Sequence, residues 1–218
     1  MRSQRSRILG AMVDVVAEHG YNETRVIDVI ELAGVSRKTF YEQFDDKESC
    51  YLATYDLWLR LLLRMTTEAF EAKPSDPWAD RMRVGMGAFL HYIAEFPKPA
   101  RFCLVEVLAA GPRALARRDA AIRQFTDFLD AGRAESDLDP PGITSLSLVG
   151  GVNELLYTEI LHGATVQLPE RLPDLMFLLT LPYLGSERAE AERFRARAFM
   201  PKLEAAPWTE AGGAAGAI

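Results

Sequence analysis

Cysteine and histidine are scarce in this chain of 218 residues, which contains two cysteines and three histidines. Cys50 and Cys103 lack the close spacing of metal-ligand pairs, and two thiols cannot build a framework of several disulfides. We expect each cysteine to be a small buried apolar residue, and we predict no metal site and no cofactor. His19, His91 and His162 lie far apart without a motif around any of them, so no Ser/His/Asp or Cys/His catalytic set is indicated.

The chain also lacks long uncharged runs. None reaches the roughly 18 residues that a membrane-spanning helix requires. The N-terminus is polar and rich in arginine, without the apolar core of a signal peptide. These features predict a cytoplasmic protein.

The chain also has no excess of positive charge. It contains 25 Lys and Arg residues and 31 Asp and Glu residues, which gives a net charge of −6. Even the first 50 residues hold seven basic against nine acidic side chains. Arg2, Arg5 and Arg7, however, form a basic arm with no acid among them, and Arg37 and Lys38 are adjacent. An acidic body with a few basic contacts favours a site-specific DNA-binding protein that adheres weakly to random DNA.

Apolar residues recur at helical spacing nearly everywhere, without strand-like alternation or internal repeats. We therefore predict an all-α fold of nine to ten helices. The fourth should start at Asp45 or Asp46, with Asp45 and Glu48 forming a capping box, and should run to Lys73. The expected ranges are 3–19, 24–33, 36–44, 45–73, 77–96, 99–110, 112–134, 142–163, 170–184 and 186–200.

The long fourth helix is expected to join two domains. We predict a DNA-binding domain at 1–50 and a helical sensor and dimerisation domain at 51–204. The Ala- and Gly-rich tail, 205–218, has the composition of a disordered segment.

The most informative segment runs from residue 24 to residue 44 and has the pattern of a helix-turn-helix. Its first helix places Val26, Val29, Ile30 and Ala33 on one face, and Thr24 can cap that helix. Such a motif places its second helix in the major groove of DNA, with its first residues at the base edges.

The turn and the second helix complete the pattern. Gly34 can adopt the positive φ that ends a helix, and Ser36 can cap the next one. Phe40 and Phe44, four residues apart, should face the core. The residues left on the outside of the second helix are Arg37, Lys38, Thr39 and Tyr41.

These residues resemble a known family. Several positions are similar to the N-terminal signature of the tetracycline-repressor (TetR) family: Gly20-Tyr21, Thr24, Ala33-Gly34-Val35-Ser36, Thr39-Phe40-Tyr41, Phe44 and Lys47-Glu48. The similarity covers about residues 5–55. It implies an all-α homodimer with a small DNA-binding domain on a larger ligand-sensing and dimerising domain.

The resemblance and the helix faces together yield a set of expected DNA contacts. Arg37 and Lys38 should reach base edges, and the resemblance implies that Tyr41 and Lys47 contact phosphates. Arg25 and Glu42 depart from the family pattern: Arg25 could reach a phosphate, while Glu42 must point away or read a cytosine amine. The predicted contacts are Thr24, Arg25, Ser36, Arg37, Lys38, Thr39, Tyr41, Gln43 and Lys47.

The sensor domain carries a weaker pattern, of aromatic and methionine side chains that could form plain core or line an apolar pocket. Asn153 lies on an otherwise apolar helical stripe, and a buried amide there needs a ligand or a partner chain to bond with. The predicted ligand-binding residues are Trp58, Met86, Phe89, Tyr92, Phe102, Glu106, Phe125, Phe128, Asn153 and Tyr157.

The last two helices before the charged final one are too apolar to be ordinary surface helices. Either they are central helices of a monomer, or they pair two subunits, as the resemblance implies. Two copies are also what a palindromic DNA site requires, with half-sites roughly 34 Å apart. The predicted interface residues are Gly150, Leu175, Phe177, Leu178 and Leu181.

The sequence thus predicts a ligand-responsive transcriptional regulator, most simply a repressor that a small apolar effector releases from a palindromic operator. Two alternatives remain open. One is an all-α enzyme acting on an apolar substrate. Such enzymes often carry an aspartate-rich metal motif, and the nearest approach to one here, Asp127 and Asp130, lacks the doubled acid. The other is a dimeric adaptor that uses the helix-turn-helix only for packing.

Overall fold

The computed structural model describes residues 3–204, with side chains to residue 200. Over that range the chain is all-α, and no strand occurs. The predicted tail at 205–218 lies outside the described residues. The nine helices are α1 (Gln4–His19), α2 (Val26–Ala33), α3 (Arg37–Gln43), α4 (Lys47–Phe70), α5 (Trp78–Glu95), α6 (Pro97–Leu104), α7 (Pro112–Asp130), α8 (Thr144–Leu161) and α9 (Leu172–Glu204).

Helix α9 is broken rather than continuous. Gly185 has a φ of 77° inside it, so the helical path stops and resumes there. An L side chain rarely adopts that conformation, which explains why glycine stands at the break. The prediction of nine to ten helices is confirmed, since the count depends on whether this break divides α9.

Several predicted helix ends were wrong. The Thr24 hydroxyl donates to the Gly20 carbonyl (2.8 Å) and does not cap α2, whose start is closed by Asp28 accepting the backbone N–H of Arg25 (3.0 Å). At the start of α4 the capping pair is Asp46 with Ser49, and not Asp45 with Glu48. Both errors arise because several carboxyl and hydroxyl groups stand within one turn and only the backbone path selects among them.

Helices α4, α6 and α7 end earlier than their apolar patterns suggested. Helix α4 ends at Phe70 instead of Lys73. The ranges predicted as 99–110 and 112–134 each end in a separate 3₁₀ turn, Glu106–Leu108 and Ala131–Glu135 respectively. Helical periodicity persists through a 3₁₀ turn, so it does not mark the change.

The buried side chains form two clusters. The first joins α1, α2 and α3 to the N-terminal half of α4, and it also includes Phe102, Val107 and Ala114 from beyond the predicted first domain. The second lies among α5, α7, α8 and α9. The helix-turn-helix part therefore shares its core with the segment around α6.

No helix of the described part is both long and apolar enough to cross a lipid bilayer. Likewise, the described residues contain no group of three or more His, Cys, Asp or Glu side chains placed to hold a metal ion.

Candidate nucleic-acid interface and ligand cavity

The turn between α2 and α3 is closed by backbone hydrogen bonds. Gly34 has a φ of 61°, and its N–H bonds to the carbonyls of Ile30 and Glu31. Ser36 is extended and accepts the backbone N–H of Thr39 through its hydroxyl at 3.0 Å. A left-handed glycine and a serine cap therefore set the direction in which α3 leaves the turn.

Helix α3 has one buried side and one open side. Phe40 and Phe44 are 0% and 5% exposed and anchor the helix in the first core. Arg37 and Lys38 project from its first turn, and Tyr41 and Gln43 are exposed further along. The Arg37 guanidinium lies 5.6 Å from the centre of the Tyr41 ring, so the aromatic supports the cation without enclosing it.

Lys38 has a loose acidic neighbour. Its ammonium is 3.9 Å from the Glu42 carboxylate, and the Lys38 side chain is 86% exposed. A pair this open contributes little stability, so the lysine remains available to another anion. Glu42, one of the two residues that depart from the pattern of the resembled family, thus lies beside a cation on the same face.

Arg25 and Lys47 are held by other groups of the protein. The Arg25 guanidinium bonds to both carboxylate oxygens of Asp28. The Lys47 ammonium donates to the carbonyls of Tyr21 (2.8 Å) and Thr24 (2.9 Å) and lies 4.3 Å from the centre of the Tyr21 ring. Burial lowers the pKa of this lysine. Its Nζ therefore holds the loop before α2, and the side chain of Thr24 in that loop is itself buried.

Two arginines predicted to form a free basic arm belong instead to α1. Arg5 donates to the carbonyl of Gln43 (3.3 Å) and packs over Phe44, while Arg7 donates to the carbonyl of Gly34 (3.2 Å). They tie α1 to both ends of α3. Arg2 lies outside the described residues.

A cavity lies among α4, α5, α6, α7 and α8. It has an empty volume of about 1130 Å³ including its mouth, and its wall is almost entirely apolar. Seven of the residues predicted to bind a ligand are part of this wall: Trp58, Met86, Phe89, Tyr92, Phe125, Phe128 and Asn153. Their contact with a ligand remains a prediction.

The other three predicted ligand residues are not part of the wall. Phe102 is fully buried and stacks on Tyr51 in the first core, with ring centres 4.3 Å apart. Glu106 accepts the backbone N–H of Tyr21 at 3.0 Å and pairs with Arg101 at 3.2 Å. Tyr157 is half-buried on α8. Helical spacing placed these residues near the right helices but could not show which side of α6 or α8 faces the cavity.

Helix α6 lies between the cavity and the helix-turn-helix part. Pro99, Ala100 and Cys103 line the cavity. On the opposite side, the Phe102 carbonyl accepts the Tyr51 hydroxyl at 2.8 Å, and Glu106 follows in the next turn. A ligand that displaces α6 would therefore move groups that hold Tyr21 and Tyr51.

Four polar wall residues were missed by sequence reasoning: Tyr55, Thr66, Cys103 and Arg118. Burial raises the pKa of the Tyr55 hydroxyl and of the Cys103 thiol, so both groups are neutral at ordinary pH. For Arg118 the sequence carries no signal, because Arg117 and Arg118 are adjacent and only the packing of α7 selects the one that reaches the cavity.

The predicted interface residues separate into two groups. Leu175 is 3% exposed and packs in the second core of its own chain, so it is not available to a partner. Leu178 is 52% exposed, and Phe177 and Leu181 are half-buried. Gly150 has open space where a Cβ would stand. Leu146 and Leu161, at 48% and 47% exposed, extend this apolar surface along α8.

Known proteins are similar in sequence to the helix-turn-helix segment of this chain. A sequence model described as "Bacterial regulatory proteins, tetR family" matches residues 8–54. The HTH-type transcriptional regulator RutR of Escherichia coli K12 is 28% identical over 114 residues, which are 50% of each chain. The chain thus spans about half the length of the curated relatives it matches.

Solved structures extend the similarity in fold over most of the chain. The transcriptional regulator FadR from Bacillus subtilis, solved in complex with stearoyl-CoA, aligns with 82% of this chain and 97% of its own, at 17% identity and a TM-score of 0.68. A bacterial regulatory protein in the tetR family from Rhodococcus RHA1 aligns with 84% of this chain and 99% of its own, at 19% identity and a TM-score of 0.67.

Proposed function

We propose that this chain, which belongs to the tetR family of bacterial regulatory proteins through its helix-turn-helix domain, is a transcriptional repressor that a small apolar ligand releases from DNA. The observation that carries the proposal is the open face of α3. Arg37, Lys38 and Tyr41 are exposed on a helix whose direction is set by the Gly34 turn and whose other side is anchored by Phe40. These are the side chains of a recognition helix.

The proposed contacts differ in kind. Arg37 and Lys38 read base edges, whereas Thr39, Tyr41 and Gln43 bond to phosphates or bases beside them. Ser36 acts as the cap that holds the helix start near the DNA. Arg25, 74% exposed despite its bond to Asp28, reaches the backbone from the first helix of the motif. Thr24 and Lys47 support the loop between α1 and α2.

A dimer supplies the second recognition helix. We propose that the apolar surface of Leu146, Gly150, Phe177, Leu178 and Leu181 pairs two copies of the chain, because it combines exposed leucines with a glycine that permits close approach. Two-fold pairing then matches a palindromic operator.

Helix α6 would transmit the effect of ligand binding that releases the protein from DNA. A ligand in the cavity contacts Pro99, Ala100 and Cys103 and shifts the helix that carries Phe102, with Glu106 beyond it. The backbone of Tyr21 and the side chain of Tyr51 would move with them, changing the spacing of the two recognition helices. A coupling of about 1–3 kcal/mol between cavity and DNA is enough for such a switch.

The enzyme and adaptor alternatives receive less support, since the proteins similar to this chain are described as regulators. FadR of Bacillus subtilis was solved with stearoyl-CoA, which makes a ligand with an apolar chain plausible for the cavity described above. A regulator of this kind would work in the cytoplasm.

The first experiment is selection of bound duplexes from a random DNA library by the full chain, followed by fluorescence anisotropy on the enriched sequence. We expect enrichment of a palindrome and a linear loss of log affinity with log salt. Changing Arg37 and Lys38 together to Ala should weaken specific binding at least about tenfold and reduce the salt slope.

The matched control changes Lys73 and Arg123 to Ala, which removes the same charge from exposed sites away from α3. It should bind the selected DNA within about twofold of the unchanged protein. If the selection enriches no sequence and binding is absent even at low salt, the repressor proposal fails and the adaptor alternative gains.

A further inference from the structure

The cavity is elongated rather than round. Its wall on α4 extends from Tyr55 to Phe70, which is roughly 22 Å of helix, and on α7 from Arg118 to Leu129, roughly 16 Å. An apolar wall of this length fits an extended chain better than a compact ring system.

The charge in this wall is confined to one residue. Among the wall residues, Arg118 alone carries a charge. The neighbouring Arg117 bonds to Asp56, the residue after Tyr55, so Arg118 belongs to the Tyr55 end of the wall. At the other end Phe70, Phe128 and Leu129 form an apolar floor. One end of the cavity thus carries a positive charge, and the other end is apolar.

Arg118 is not satisfied by the protein. Its Nε is buried and makes no hydrogen bond within the described part of the chain. Its nearest acid is Asp119, whose Oδ1 lies 3.4 Å from a terminal nitrogen of the guanidinium. By contrast, the neighbouring Arg117 has a carboxylate partner for its Nε, which lies 2.9 Å from Asp56 Oδ1. A buried guanidinium N–H without an acceptor is costly, and a ligand oxygen would remove that cost.

We propose that the cavity binds an unbranched apolar chain ending in a carboxylate, with the carboxylate on Arg118 and the chain extending along α4 toward Phe70. The planar guanidinium matches a carboxylate in charge and geometry, and no acid in the wall competes for it. The hydroxyl of Tyr55, at the same end of the wall, can donate to the same group. The inference rests on the proposed function only in treating the bound acid as the effector.

The test is isothermal titration of the full chain with dodecanoate, 1-dodecanol and dodecanoyl-CoA. We expect dodecanoate to bind at least about tenfold more tightly than the alcohol, because only the acid forms a charge-assisted bond with Arg118. Arg118→Gln should remove that preference by weakening dodecanoate alone, and Arg118→Lys should retain part of it. Arg117→Gln, the surface control, should change nothing by more than about twofold.

Three outcomes would overturn the proposal. One is an alcohol that binds as tightly as the acid in the unchanged protein, a comparison that does not depend on the folding of any variant. Another is an Arg118→Gln protein that keeps the preference for the acid. The third is binding of the thioester but not of the free acid, which would assign Arg118 to a carbonyl or a phosphate.

The same preparation should be titrated with the selected DNA, so that the two proposals are tested separately. Arg118-dependent binding of dodecanoate without any DNA binding would remove the repressor function and leave the acid site. DNA binding in a protein that shows no preference for the acid would do the reverse.

Discussion

At the scale of single residues, Lys47 shows how a basic side chain in a DNA-binding motif can serve the fold instead of the nucleic acid. Its ammonium donates to two backbone carbonyls of the loop before α2, those of Tyr21 and Thr24. Those bonds occupy two of the three N–H donors of the ammonium. We therefore expect the side chain to stabilise the loop rather than to contact a phosphate.

We predict that Lys47→Met lowers the free energy of unfolding by about 1.5–3 kcal/mol, the range for hydrogen bonds to a charged group. Chemical denaturation measures this directly. The slope of log affinity for DNA against log salt should remain unchanged, because no phosphate contact is lost.

Lys38→Met is the matched comparison, since Lys38 is 86% exposed and bonds only loosely to Glu42. It should reduce the salt slope by about 1 and leave the stability within about 0.5 kcal/mol. A Lys47→Met protein that behaves in this way would assign Lys47 to a phosphate.

At the scale of elements, the joint between α5 and the 3₁₀ turn after α7 depends on the smallest side chain. A Cβ on Gly132 would lie 2.5 Å from the indole of Trp78. Trp78 cannot move aside easily, because it is 1% exposed and its Nε1 donates to the Phe128 carbonyl at 2.8 Å. Glycine is required here for the close approach of two elements.

Gly132→Ala should therefore destabilise the protein by about 1–3 kcal/mol through overpacking. Gly10, inside α1, has nothing within 4 Å of an added Cβ. Gly10→Ala is expected to raise the stability by about 0.5–1 kcal/mol, because alanine favours the helix. Thermal unfolding of the two variants side by side checks the contrast, and equal effects of the same sign would contradict it.

The contact between Glu106 and Tyr21 links the segment after α6 to the loop before α2. Glu106 is 7% exposed, accepts a backbone N–H and pairs with Arg101. Replacing it with alanine leaves that N–H without its acceptor. We predict that Glu106→Ala costs about 1–3 kcal/mol of stability and reduces the coupling between ligand and DNA.

The measurement pairs denaturation with the ratio of DNA affinities with and without an effector such as dodecanoate. Glu170→Ala, at an exposed site, should alter neither quantity. If Glu106→Ala retains the full ratio of affinities, the signal takes a different route through the fold.

At the scale of the whole molecule, the charge balance and the surface are consistent with a paired, site-specific protein. A net charge of −6 weakens adhesion to DNA in general, so affinity has to come from a few placed cations. Two copies double those contacts. The apolar surface around Leu178 is the part of the described chain to which we assign the pairing.

We predict a dimer in solution that Leu178→Asp weakens at least about tenfold, because pairing would bury an unpaired carboxylate. Sedimentation velocity measures the change. Leu108→Asp is the control, since Leu108 is 45% exposed and lies away from α8 and α9. Dissociation in both variants, or in neither, would place the interface elsewhere.

What the sequence determined by itself is the local structure of the DNA-binding motif. The Gly34 turn, the Ser36 cap and the inward side chains of Phe40 and Phe44 depend on neighbours within a few residues, and all were predicted correctly. The helical fold and the family signature follow from the same short-range patterns.

Only the tertiary structure decided which side chains meet over long distances. Lys47 bonds to carbonyls 26 and 23 residues away, and Glu106 bonds to a backbone 85 residues away. The choice of Arg118 over Arg117, and the burial of Leu175 beside the exposed Leu178, depend on how far each helix is rotated about its axis. Helical spacing shows which residues share a face, but it does not show which element that face meets, because packing sets the rotation.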